Sequence, residues 1–149
     1  MATYMQGALK AGSSASEPLG ATAVAAADTG YAVFSKTVTL QAATLTNVDA
    51  TMALPVGAQI IGINADSTVA WTATTASLTV GLTAGGTDFV TGFDVKTITR
   101  GPTAAFTAAQ LNAMQSLASG SSTLAFRVAS TGANAVGTTI ATVTYAIKL

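Results

Sequence analysis

Short alternations of apolar and small polar residues, broken by glycine, proline or aspartate, run through residues 52–97 and constrain the fold more than any other feature. The clearest examples are residues 58–66 and 77–81, which end at an aspartate and a glycine. A period of two places alternate side chains on opposite faces of a strand. The stretch therefore predicts short antiparallel strands, each with one buried face, at the centre of an all-β antiparallel β-sandwich or jelly-roll-like domain.

The same period recurs on both sides of this stretch and predicts seven or eight strands in all, as in a sandwich or jelly roll. The strands are expected at residues 31–40, 44–54, 58–66, 69–71, 77–81, 88–98, 123–130 and 138–149. Residues 58–66 are the most apolar and are expected to be central, with Ile61, Ile63 and Ala65 on one face. Aspartate at Ile61 or Ile63 is expected to prevent folding, since a buried unpaired charge is very unfavourable.

One short helix interrupts the strands. Thr107 can cap it, and Gln110 stands three residues later, as in a capping box. Apolar residues then follow at helical spacing, and Gly120 ends the helix; they are Leu111, Met114 and Leu117. We expect this apolar face to pack on the sandwich, with a partner-binding role as the alternative.

Charged residues make up 8% of the sequence, against roughly 25% in ordinary soluble domains. The net charge is zero and the basic residues are scattered, so neither a nucleic acid nor a membrane surface is an expected partner. A surface with so few charges is typical of a protein that functions within an assembly. The chain has no cysteine and no histidine, which excludes disulfides and the commonest general base.

Four side chains could supply oxygen ligands to calcium; they are Asn64, Asp66, Asp88 and Asp94. Their spacing matches no calcium loop, and turn or strand-edge positions are the better interpretation. The glycine pair at residues 85–86 could imitate a phosphate-binding loop, but that loop requires a helix after it. A strand is expected to follow, which favours a hairpin turn.

Glycoside hydrolysis would need paired carboxylates from the same aspartates and Glu17, with no aromatic platform to hold a sugar. Trp71 is the single tryptophan, and we expect it to have a core or interface role and not to stack on a ligand. Serine and threonine are abundant, but no histidine can activate them. We therefore expect no catalytic, cofactor-binding or metal-ligating residues and no enzyme activity.

Residues 1–30 are rich in alanine, glycine and serine and read as an extended N-terminal arm, followed by the β-sandwich domain at residues 31–149. Terminal segments of this composition are ordered mainly when something holds them, so we expect the arm to contact a neighbouring subunit or a partner shell. Residues 25–27 could imitate a signal cleavage site, but Glu17 and Pro18 interrupt the apolar segment that a signal needs. No apolar run has the roughly 20 residues of a membrane helix.

Four pieces of the sequence resemble the small β-sandwich virion proteins of tailed bacteriophages, particularly the head decoration (cement) proteins. The pieces are residues 54–63 (LPVGAQIIGI), 69–71 (VAW), 78–81 (LTVG) and 86–90 (GTDFV). The resemblance spans residues 31–149 and does not include the arm.

This resemblance implies a protein on the capsid exterior that binds the major capsid protein of an icosahedral shell, commonly as a homotrimer, and stabilises the contacts between capsomers. Two alternatives remain open. One is a receptor- or glycan-binding module at a tail or fibre tip, and the other is a tail-tube or collar component.

Overall fold

The computed structural model describes residues 30–102, 106–115, 122–132 and 134–149. These residues form eight strands and one helix. Their bounds are β1 Tyr31–Gln41, β2 Asn47–Leu54, β3 Gln59–Val69, β4 Thr75–Gly81, β5 Val90–Asp94, β6 Thr99–Pro102, α1 Ala108–Gln115, β7 Ser122–Thr131 and β8 Thr138–Lys148. Apart from Gly30, the expected arm lies outside the described residues.

The strands form two four-stranded antiparallel sheets that pack face to face. Sheet A has the order β1-β8-β3-β6 and sheet B the order β2-β7-β4-β5. The largest fully buried side chains come from both sheets and from the connections between them, and include Trp71, Phe89, Phe126, Ile63, Leu78 and Val143. The predicted all-β sandwich is confirmed.

The strands expected at residues 31–40, 123–130 and 138–149 are observed with bounds that differ by one or two residues at most. In β7 the predicted inward residues Leu124, Phe126 and Val128 are all fully buried, and Arg127 points outward. Clean alternation predicted these strands well, because each has one face on the core.

The strand predicted at residues 88–98 is observed only over residues 90–94, and residues 95–98 lie in the connection between the two sheets. Residues 90–94 form β5 in sheet B, and the chain then crosses to sheet A and forms β6. Val95 lies at the crossing, where its carbonyl accepts from the Trp71 amide at 3.3 Å and its own amide donates to the Ala76 carbonyl at 3.3 Å. Pro102 ends the edge strand β6, a position that tolerates a missing N–H.

Two further strand predictions are corrected. No separate strand forms at residues 69–71, because β3 continues to Val69 and Trp71 lies in the connection to β4. β2 starts at Asn47 and not at Thr44, because Thr44 adopts a left-handed φ of 58°, which a strand cannot include.

A β-bulge in β3 changes which isoleucines face the core. Ile60 pairs with Tyr145 and Gly62 pairs with Thr144, so Ile61 is an extra residue between two consecutive pairs. The bulge places Ile60 and Ile63 in the core at 6% and 1% exposure, whereas Ile61 is 55% exposed. The prediction that Ile61 is a core residue is wrong, and the aspartate prediction is retained for Ile63 alone.

The capping box predicted for the helix is observed. The Thr107 amide donates to Gln110 Oε1 at 2.9 Å, and the Gln110 amide donates to Thr107 Oγ1 at 3.2 Å. The helix packs against β3 of its own sandwich through the buried Met114, but Leu111 of the predicted apolar face is 48% exposed. Leu117 and Gly120 lie outside the described residues. Within the described part of the chain, no helix is long and apolar enough to cross a membrane.

Candidate interaction surface

Three connections between strands meet at one end of the sandwich, which we name the loop end. They are residues 42–46 between β1 and β2, residues 70–74 between β3 and β4, and residues 132 and 134–137 between β7 and β8. Their backbones are joined directly: the amides of Ala42, Thr44 and Thr72 donate to carbonyls of residues 137, 134 and 136 at 2.9, 2.8 and 3.1 Å. The three loops therefore form one hydrogen-bonded layer.

Asn134 holds this layer together from the inside. Its side chain is fully buried, and its Oδ1 accepts from the Ala73 amide at 3.3 Å. Its Nδ2 donates to the Leu45 carbonyl at 3.1 Å and to Ser130 Oγ at 2.7 Å. The Asn134 side chain therefore bonds to the connection after β3, to the connection after β1 and to the end of β7. All its polar atoms have partners, as is usual for a buried polar side chain.

Thr72 adds a second side-chain bridge. Its hydroxyl oxygen accepts from the amides of Ala135 and Val136 at 3.1 and 3.3 Å. A hydroxyl that accepts from two consecutive amides fixes the direction of the chain at that point. Residues 135 and 136 are therefore held against the connection between β3 and β4.

Trp71 lies beneath the loop end and is 2% exposed. Its indole N–H donates to the buried Thr139 Oγ1 at 2.8 Å. A Cβ atom at Gly137 would lie 2.6 Å from the indole ring, so only glycine allows the loop to cross the tryptophan this closely. The predicted core role is confirmed, and the ring is not accessible for stacking on a ligand.

The outer surface of the loop end presents exposed apolar side chains among small and polar ones. Leu45, Val69 and Val136 are 56%, 40% and 50% exposed, and Val69 and Val136 border a shallow hollow of about 230 Å³. None of the three loops contains a charged residue. Exposed apolar side chains on a rigid support are typical of a surface that binds another protein.

The connection between β5 and β6 is tied to the same end. The Lys96 ammonium donates to the Ala73 carbonyl, and its amide donates to Asp94 Oδ1 at 2.9 Å. The buried Ser67 hydroxyl donates to the Val95 carbonyl at 3.1 Å. The first bond places the Lys96 ammonium beside residue 73 of the loop end, and the second holds Asp94 to its own loop. Ile98, at 71% exposure, is the exposed apolar residue of this connection.

The aspartates considered for calcium binding do not come together. Asp66 pairs with Arg100 across β3 and β6, Asp88 Oδ2 accepts from the Leu82 amide at 2.9 Å, and Asp94 caps its own loop. In the described residues no three side chains of the types that bind metals form a group. Glu17 lies outside the described residues.

The glycine pair at residues 85–86 forms part of the hairpin between β4 and β5, as predicted. The Gly86 amide donates to the Thr83 carbonyl at 2.8 Å, and Gly85 adopts a φ of 83°. A Cβ atom at Gly81 would lie 2.6 Å from the Gly86 backbone, so the turn folds back closely on the end of β4.

Each sheet has one ion pair on its outer face. In sheet B, Arg127 Nε and Nη2 donate to Asp49 Oδ1 and Oδ2, both at 2.7 Å. In sheet A, Arg100 donates through Nε and Nη2 to Asp66 Oδ2 at 2.9 and 2.6 Å. The hydrogen bonds from Arg127 hold the pKa of the Asp49 carboxyl below its usual value, although partial burial acts in the opposite direction. In both pairs the aspartate and the arginine lie opposite each other on neighbouring strands, so their charges cancel.

Sequence reasoning did not find the loop end. Asn134 and Thr72 occur in stretches that resemble any polar turn, and their roles depend on which loops the topology brings together. The one usable signal was the absence of charge from three turns, where surface-exposed loops normally carry some.

No family model, curated protein or solved structure matches this chain.

Proposed function

We propose that this chain is a structural protein of a virus particle. It binds the major capsid protein on the outside of an icosahedral phage shell, as a homotrimer, and stabilises the contacts between capsomers. The observation that carries the proposal is the loop end: three hydrogen-bonded connections without a charged residue, beside which Leu45, Val69 and Val136 are exposed.

Two further features support the proposal. The sequence resembles head decoration proteins over residues 31–149, and charged residues are few in the chain as a whole. On both sheets, Asp and Arg neutralise each other across neighbouring strands, so the outer faces present little net charge to a partner. Many weak apolar contacts of this kind, repeated over a shell, add up through multivalency.

The first test is the copy number of this chain relative to the major shell protein in purified particles from its source. A number comparable to the shell protein, in multiples that fit three-fold sites, supports decoration. A number that matches one ring or a few fibres supports the tail or collar alternative. Absence from the particles would overturn the viral assignment.

A variant pair tests the contact surface. Val136→Asp places a charge on the loop end and is expected to lower occupancy on shells at least tenfold, because an interfacial charge would be desolvated without a partner. Val56→Asp is the matched control, since Val56 is 61% exposed in the turn between β2 and β3, at the opposite ends of those strands. Equal loss of occupancy in both variants would exclude the loop end as the contact.

A further inference from the structure

The connection between β1 and β2 contains a residue in a conformation that its type disfavours. Thr44 adopts a φ of 58°, and no other residue besides glycine in the described part of the chain has a positive φ. The left-handed region brings the Cβ atom close to the backbone, so glycine, asparagine and aspartate adopt it far more readily than a β-branched threonine. Thr44 is therefore strained, at a position where asparagine or glycine would fit better.

Hydrogen bonds from β7 and from the connection after it hold the turn in this conformation. The Thr44 amide donates to the Asn134 carbonyl at 2.8 Å, and Asn134 Nδ2 donates to the Leu45 carbonyl at 3.1 Å. The Ser130 amide and hydroxyl both donate to the Thr46 carbonyl, each at 2.8 Å. Three consecutive residues are thus fixed by their backbones, and a strained conformation persists only where the surrounding structure fixes it in this way.

The side chains of the same turn are exposed. Residues 43–46 are all exposed, whereas each of the other two connections of the loop end includes buried residues, 71 and 73 in one and 134 and 137 in the other. Leu45 is 56% exposed, and the Thr44 hydroxyl donates to the neighbouring Ala43 carbonyl at 2.6 Å. The strained turn therefore holds an apolar side chain in solvent, where it contributes no burial to the stability of the free chain.

Strain that stabilises nothing in the free protein is typical of a site that acts on a partner. We propose that Thr44 and Leu45 are the main contact residues of the loop end, and that their side chains enter an uncharged, apolar hollow on the major capsid protein. A side chain on a fixed backbone loses little conformational entropy on binding, which favours it as a central contact. The inference rests on the proposed function for the identity of the partner, and it adds which residues make the closest contact and what kind of surface receives them.

Leu45→Ala in the full-length chain is the first test. It is expected to raise the apparent Kd for undecorated shells at least about tenfold, because a central apolar contact is lost. The midpoint of thermal unfolding is expected to stay nearly unchanged, because the side chain is exposed in the free protein. Val56→Ala is the matched control and is expected to change neither quantity, since Val56 is 61% exposed in the turn between β2 and β3.

Thr44→Asn separates a contact role from a structural one. Because asparagine tolerates a left-handed φ, the midpoint of thermal unfolding is expected to rise by about 2–4 °C. The apparent Kd for shells is expected to rise at least about fivefold, because a polar amide replaces the threonine methyl group in an apolar hollow. A purely structural residue would not increase stability and weaken binding together. Thr46→Asn makes the same exchange where φ is not positive and is expected not to raise the midpoint.

Each of three results would overturn the inference. They are an unchanged midpoint for Thr44→Asn, an unchanged Kd for Thr44→Asn, and equal Kd values for Leu45→Ala and Val56→Ala. If the parent chain binds shells and one of these results is found, the inference fails and the proposed function stands. If the parent chain itself does not bind shells, the proposed function fails and the inference fails with it.

Discussion

Asn134 is the residue on which the loop end most depends, since its buried amide bonds to three different partners. Asn134→Ala leaves the Ala73 amide and the Leu45 carbonyl without their partner. We expect the free energy of unfolding to fall by about 3 kcal/mol, because a buried polar group left unsatisfied costs about 1–3 kcal/mol. Urea denaturation followed by tryptophan fluorescence measures this, and Trp71 beneath the loops is the reporter.

Asn47→Ala is the control for that measurement, because Asn47 is exposed at the start of β2. Its effect should stay within about 0.5 kcal/mol, as for most surface substitutions. If Asn134→Ala and Asn47→Ala lowered the free energy of unfolding by similar amounts, the Asn134 side chain would not be what holds the loop end together.

Two isoleucines two residues apart test the bulge in β3. Ile63→Asp buries a charge at a position that is 1% exposed and should prevent folding, whereas Ile61→Asp at 55% exposure should fold. Soluble yield and circular dichroism distinguish the two results. A folded Ile63→Asp protein, or an unfolded Ile61→Asp protein, would show that the bulge lies elsewhere.

At the scale of elements, β2 and β7 are joined on their outer face by Asp49 and Arg127. Because the folded-state pKa of Asp49 is lowered, the pair stabilises the fold above the unfolded-state pKa of about 3.9, and this contribution is lost as the pH falls below it. Asp49→Asn should therefore be less stable than the parent at pH 7, by no more than about 1 kcal/mol for so exposed a pair. The difference should shrink as the pH falls from 4 to about 2.

Thermal unfolding between pH 2 and 7 checks this prediction. Thr51→Ser, at an exposed position on the same strand, carries no titrating group and should differ from the parent by the same amount at every pH. A difference in thermal stability between Asp49→Asn and the parent that widens as the pH falls would contradict the assigned role of the ion pair.

The elements that the sequence predicted well are those whose signal is local. β7 and β8 alternate without interruption, and the capping box of Thr107 and Gln110 lies within four residues of sequence. Both signals arise from forces that act within one strand or one helical turn. Neighbouring elements therefore did not alter them.

The elements that were mispredicted depend on contacts distant in sequence. Residues 88–98 alternate as one strand would, yet the crossing at Val95 is set by its bonds to Trp71 and Ala76. Ile61 fits the apolar period, but pairing with β8 shifts by one residue and moves it outwards. The loop end depends on distant contacts even more, because Asn134 acquires its role only when three separate loops meet.

For the whole molecule, the position of charge separates the proposed contact surface from the remainder of the sandwich. The ion pairs lie on the outer faces of the sheets, and Lys36 and Lys96 donate to backbone carbonyls. The three connections of the loop end carry no charge. A contact made through such a surface depends on apolar burial and shape, and little on electrostatic attraction.

Attachment to shells should accordingly be almost insensitive to salt. Between 50 and 500 mM NaCl we expect the apparent Kd for shells to change by less than about threefold, because screening acts on charges that the loop end lacks. Binding of fluorescently labelled chains to undecorated shells, followed by sedimentation, measures this. A loss of tenfold or more over that range would place the contact on a charged face and would exclude the loop end as the site of attachment.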